Sequence, residues 1–182
     1  MTNMAGGAML PVMFFASPLP QSDLGILFTL WLMRGRVRAE KVHPLVRRVA
    51  TDIVRDLDPR DPVGHVHAIR DYVDQHSQFL RDPDGVELLH GPVWQLRQLL
   101  TRGRVLVDCD DIAMLTAALG GAIGLKARFV VVGFGGPHAP YRHVWTELRS
   151  PVPGAPWVDM DLTRAAQDLD TMPVTRRLIW GA

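Results

Sequence analysis

The sequence holds one cysteine, Cys109, in 182 residues. No internal disulfide can form, so nothing in the thiol count calls for an oxidising compartment. A charge surplus is also missing. Twenty Lys and Arg face nineteen Asp and Glu, for a formal net charge of +1, which singles out neither nucleic acid nor an anionic membrane as a partner. No apolar run is long enough to cross a bilayer: Met9–Ala16 and Leu24–Met33 are apolar, but Pro18, Pro20, Gln21, Ser22 and Asp23 separate them, and a span needs roughly 20 residues. No basic residue precedes Arg34, so the charged start of a signal peptide is not seen. Repeats and low-complexity tracts are absent as well. What remains, 47% hydrophobic and 21% charged residues, reads as one ordinary globular core.

The order of patterns predicts helices first and strands afterwards. Residues 1–21 read as an N-terminal arm, and residues 22–182 as a single domain with a helical part 22–104, a core 105–163 and a tail 164–182. Ser22 is a plausible N-cap for an amphipathic helix carrying Leu24, Leu27, Phe28, Trp31 and Leu32, expected to pack on the core or to meet another subunit. A basic patch, Arg34–Arg38, separates it from a second helix over His43–Leu57. A third follows Asp61-Pro62, with Val66, Ile69 and Val73 as its stripe. Gln78–Arg81 and Val86–Leu89 read as short extended pieces around the turn Asp82-Pro83-Asp84-Gly85. Gly91-Pro92 opens a fourth helix. After Gly124 the period changes: Ala127–Phe134 reads as a strand buried on both faces, Tyr141–Leu148 as an alternating strand and Trp157–Leu162 as a third.

The cysteine sits where these patterns meet. Val105-Leu106-Val107 is strand-like, Asp108 is a good N-cap, and Asp111 three residues later completes an acidic capping box. Cys109 therefore falls at the first position of a helix running through Ile112, Leu115, Leu119 and Ile123. Backbone N–H groups and the positive end of the helix dipole favour a thiolate there. Three aspartates around the thiol, Asp108, Asp110 and Asp111, oppose that by repulsion. Downstream lie His143, with His138 as a rival in the preceding loop, and Asp159 and Asp161 on the last strand. A thiol nucleophile needs a base, and the base needs an acceptor to orient its ring. The three types occur in that order.

These residues carry a family resemblance. Asp108-Cys109-Asp110-Asp111-Ile112-Ala113, followed by Gly124-Leu125-Lys126-Ala127-Arg128, resembles the nucleophile segment of transglutaminase-like cysteine proteins. His143-Val144-Trp145-Thr146-Glu147-Leu148 is similar to that family's histidine strand. Trp157-Val158-Asp159-Met160-Asp161-Leu162-Thr163 is similar to its aspartate segment, with Leu162 where proline is usual. The resemblance implies a papain-like α+β fold with the cysteine helix packed on an antiparallel sheet. It also implies a triad of Cys109, His143 and Asp161, with Asp161 rather than Asp159 orienting the histidine. More loosely, the upstream half is similar to a compact form encoded in bacteriophage morphogenesis clusters.

The reading is a cysteine hydrolase or acyltransferase, peptidase-like, acting on peptide or amide bonds through Cys109, His143 and Asp161. The alternative is a bacteriophage head, neck or tail protein that keeps the fold, with the apolar N-terminal segment meeting phage proteins or a second copy. An oxyanion hole needs the Cys109 N–H plus a second donor, for which Gln95 and Gln98 on the preceding helix are the candidates. A hard cation would suit the aspartates, but no ligand spacing supports one, so neither metal nor cofactor is expected. The expected partners are a protein or peptide substrate, without nucleic acid. The expected location is the cytoplasm or a phage particle.

Overall fold

The structure, a computed structural model, describes residues 15–17, 22–83, 86–163, 167, 169 and 171–182. Most of the expected N-terminal arm and the Asp84-Gly85 turn lie outside the described residues. Among the described residues, eight strands and five helices follow in the order β1 (Phe15–Ser17), α1 (Asp23–Glu40), α2 (Pro44–Val54), α3 (Pro62–His76), β2 (Ser77–Phe79), β3 (Glu87–Leu89), α4 (Pro92–Arg102), β4 (Val105–Val107), α5 (Cys109–Ala122), β5 (Lys126–Phe134), β6 (Tyr141–Arg149), β7 (Val158–Asp159) and β8 (Val174–Gly181).

α5 is the centre of the molecule. Every residue from Asp110 to Gly120 is buried, as expected of a helix apolar nearly all round. α1, α2, α3 and α4 pack against it, and the other side lies on β5 and β6. The sheet runs β7-β6-β5-β8, with each neighbouring pair antiparallel. β5 is covered on both faces: Phe129 and Val131 join the main core with α5, while Val130, Val132 and Phe134 form a second cluster with Trp145 on the opposite face. The fold is α+β with the cysteine helix packed on an antiparallel sheet, as the motifs implied.

Two contacts fix α5 against β6. At Gly120 an added Cβ would lie 2.7 Å from a Leu148 methyl, so only glycine allows helix and strand this close. Thr146 Oγ1, fully buried, donates to the Ala113 carbonyl at 2.7 Å. β4 ends at Val107, pairs parallel with β2 (Phe79↔Val107), and delivers the chain into α5 after one residue.

The structure departs from the sequence reading in α1, in the tail and in the expected third strand. α1 runs straight through the basic patch to Glu40, where an Arg36–Glu40 pair four residues apart supports the last turn. Its buried stripe is Gly25, Thr29, Leu30, Met33 and Val37, whereas Leu24, Phe28 and Trp31 face solvent. The tail holds a full strand, β8, against β5, and the expected third strand shrinks to Val158–Asp159. Phe15–Ser17 also pairs, antiparallel with β3.

Candidate active site

Each site residue is placed by local sequence. Asp108 takes extended backbone as N-cap, its side chain accepting from the Asp111 N–H, so Cys109 becomes the first residue of α5. Val144 and Thr146 of β6 face α5, and strand alternation turns His143 to the other face beside Trp145, ring centroids 5.6 Å apart. Asp161 follows β7 by two residues. Its backbone N–H donates to Asp159 Oδ1 at 2.7 Å, and its Oδ1 accepts from the Thr163 N–H.

The buried His143 ring bonds through Nε2 to Asp161 Oδ1 at 2.9 Å. Asp159 is exposed and takes no part in that contact. A carboxylate on Nε2 fixes the tautomer with the proton on Nε2, leaving Nδ1 as an acceptor. Gln167 supplies the donor: its amide nitrogen lies 3.0 Å from Nδ1. Cys109 is partly exposed and lines one cleft of about 440 Å³ together with His143 and Gln167. Among the described residues no hydrogen bond joins Cys109 to His143. The sulfur is approached instead by the backbone N–H groups of Val144 and of Cys109 itself.

The other wall of the cleft is acidic. Asp82, Glu87, Asp108 and Asp110 line it. Burial, and then the Asp108 charge, push the Cys109 thiol up, against the two N–H groups, which favour the thiolate. Burial likewise raises Glu87 and Asp82, and holds Asp110 well above the usual carboxylate range, with Asp108 adding repulsion. Asp111 belongs to a different arrangement. Its two oxygens accept from the His90 N–H and ring Nδ1, both at 2.6 Å. Burial raises this carboxyl while the His90 bonds restrain it, and the same contact raises His90.

Gln95 is fully buried, and its amide nitrogen donates to the carbonyls of His90 and Asp111 at 2.7 and 2.8 Å. Neither Gln95 nor Gln98 lines the cleft. Gln95 braces the first turn of α5 and has no donor left for an oxyanion. The donors that approach the sulfur are the Cys109 and Val144 N–H groups. Sequence reasoning missed Gln167, Glu87 and Asp82, which no local motif marks. Carboxylate oxygens of Asp108, Asp110 and Asp111 lie within 4.8 Å of one another, but His90 already engages both oxygens of Asp111, so the three do not offer a full set of free metal ligands. Among the described residues no helix is long and apolar enough to cross a membrane.

The core profile of the transglutaminase-like superfamily matches residues 47–162. No curated protein matches the chain. Two solved structures are similar to it. A candidate cysteine protease from Cytophaga hutchinsonii has 17% identity and a TM-score of 0.48, over 75% of this chain and 46% of its own. A candidate protease from Parabacteroides distasonis has 13% identity and a TM-score of 0.47, over 72% and 29%. The chain thus spans less than half the length of either.

Proposed function

The chain belongs to the transglutaminase-like superfamily, and from that premise we propose that it is a cysteine hydrolase of peptide or amide bonds. The observation that carries this reading is the 2.9 Å His143–Asp161 contact in the same cleft as a thiol at the first position of α5. The Cys109 sulfur attacks the amide carbonyl carbon, and its proton passes to His143 Nδ1. Asp161 holds the ring and stabilises the imidazolium. The Cys109 and Val144 N–H groups are the nearest backbone donors for the oxyanion. Collapse breaks the C–N bond, His143 protonates the departing amine, and a thioester remains on Cys109. Water, deprotonated by His143, then attacks the thioester, releasing the carboxylic acid and the thiol.

For this, the Gln167 amide on Nδ1 must give way to the thiol proton. Catalytic contacts that are loose without substrate commonly tighten when it binds. Release to water rather than to an amine is favoured because no residue of the cleft marks a water-excluding acceptor site. A second reading, a bacteriophage head, neck or tail component, draws on the solvent-facing Leu24, Phe28 and Trp31 of α1, a surface suited to docking.

The test is alkylation of Cys109 by iodoacetamide across pH, in wild type and His143→Ala. The expected result is labelling at pH 7 lowered about 100-fold in the variant. Equal, slow labelling of both proteins would sink the nucleophile reading.

A further inference from the structure

Among the described residues no basic side chain is bonded to the acidic wall; His90, bonded to Asp111, reaches Asp82 and Asp108 through its charge. Asp110 is 3% exposed, and neither of its carboxylate oxygens accepts from an N–H or a hydroxyl. Its hydrogen-bonding neighbours are carboxyls themselves, Asp108 and Glu87. Among the described residues none of Asp82, Glu87, Asp108 and Asp110 is in an ion pair with a basic side chain. The basic residues at the cleft, Arg81 and Arg142, are both exposed and sit at its rim. A buried carboxyl whose hydrogen-bonding neighbours are other carboxyls is costly and uncommon in a folded protein. One that opens onto the cleft beside a nucleophile is explained if the donor arrives with the substrate.

We propose that Asp110, with Glu87 and Asp108, forms a subsite for a cationic group of the substrate, so that the preferred amide has a lysine or arginine side chain next to the bond that is cut. This deepens the hydrolase reading above and rests on it. An ammonium offers three N–H donors and a guanidinium five, enough to satisfy the oxygens that lack donors here. The wall also faces the thiol, so the bound cation offsets the carboxylate charge that disfavours the thiolate. A substrate with the right side chain then supplies its own activation, and an uncharged one meets a less reactive sulfur. An organic cation fits better than a divalent metal because the third converging carboxylate, Asp111, is fully engaged by His90.

The experiment uses peptidyl electrophiles that differ at one residue beside the reactive group, lysine, norleucine or glutamate, with Cys109 adduct formation followed by intact mass. The lysine probe is expected to label roughly ten- to hundredfold faster than the norleucine probe, the range set by one or two charge-assisted bonds, and the glutamate probe slowest. In Asp110→Asn and Glu87→Gln the lysine advantage should shrink toward unity. Equal labelling by the lysine and norleucine probes overturns the subsite. If His143→Ala leaves iodoacetamide labelling unchanged, the hydrolase reading fails separately. A binding arm needs no chemistry: Cys109→Ala titrated with acetyl-lysine amide should show shifts at the acidic wall that acetyl-norleucine amide does not produce. Abolition of those shifts by millimolar calcium, with no lysine preference in labelling, would instead identify a metal site and overturn the proposal.

Discussion

Two buried carboxylates on either side of the core make opposite use of their charge. Glu147 sits near the far end of β6, where Arg128 reaches one of its oxygens and Arg177 the other, the latter at 2.7 Å. Asp110 sits in the first turn of α5, just as buried, with only other acids for company. The first stabilises strands: it links β6 to both β5 and β8. The second is a local cost that the rest of the fold carries, and such costs gather where a ligand is handled. The difference teaches that burial alone does not set one acid apart from another, whereas the absence of a basic partner does.

The sharpest way to break this comparison is to remove the paired member. Glu147→Ala leaves two arginines facing each other across the sheet and should cost about 2 kcal/mol. That is below the figure for a fully buried pair because both arginines keep some contact with solvent; urea denaturation monitored by tryptophan fluorescence measures it. The unpaired member should behave the other way. Burial raises the Asp110 pKa in the folded protein above its unfolded value, so between the two the native state binds more protons than the unfolded chain. Stability therefore falls as pH rises through that window. Asp110→Asn should remove this fall and be more stable than wild type by about 1–2 kcal/mol at alkaline pH, seen as a flatter plot of melting temperature against pH.

Smaller effects sharpen the contrast. His143 resembles Glu147 in having both ends occupied, by Asp161 and Gln167. Gln167→Ala should free Nδ1 and speed iodoacetamide labelling about threefold at pH 7, the size of one modest hydrogen bond. Glu87→Gln removes one of the charges that disfavour the thiolate and should raise labelling about twofold at pH 8, with the whole profile moving to lower pH.

How much of this was legible beforehand depended on whether the signal was local. Cys109 at the start of a helix follows from Asp108 and Asp111 three residues apart, and the doubly covered β5 follows from its run of branched and aromatic residues. β8 was not legible because Arg176 and Arg177 interrupt Val174–Gly181. Those arginines are spoken for by Asp23 and Glu147, which sequence spacing cannot reveal. α1 offered two apolar stripes, and the bulkier one, Leu24, Phe28 and Trp31, attracts the eye. The buried stripe is the one with Gly25, Thr29 and Leu30, small enough at two positions for close approach. The acidic wall was half visible. Asp108 and Asp110 flank the thiol in sequence, but Asp82 comes from the β2–β3 connection and Glu87 from the start of β3, more than twenty residues earlier in the chain. Gln95 and Gln98 are candidates by their place on the helix before the thiol, and only the two carbonyl partners of Gln95 show that its amide is already committed.

The hydroxyl of Thr146 and the missing side chain of Gly120 have a mechanical implication. They rivet the strand that bears His143 to the helix that bears Cys109 at two points, Thr146 on Ala113 and Leu148 on Gly120. The Cys109 thiol and the His143 ring are thus mounted on one stiff bracket, and hinge motion between their supports is not a means of adjusting the distance between them. Any throttle on this site has to act through side-chain rotation, with the amide of Gln167 as its first moving part.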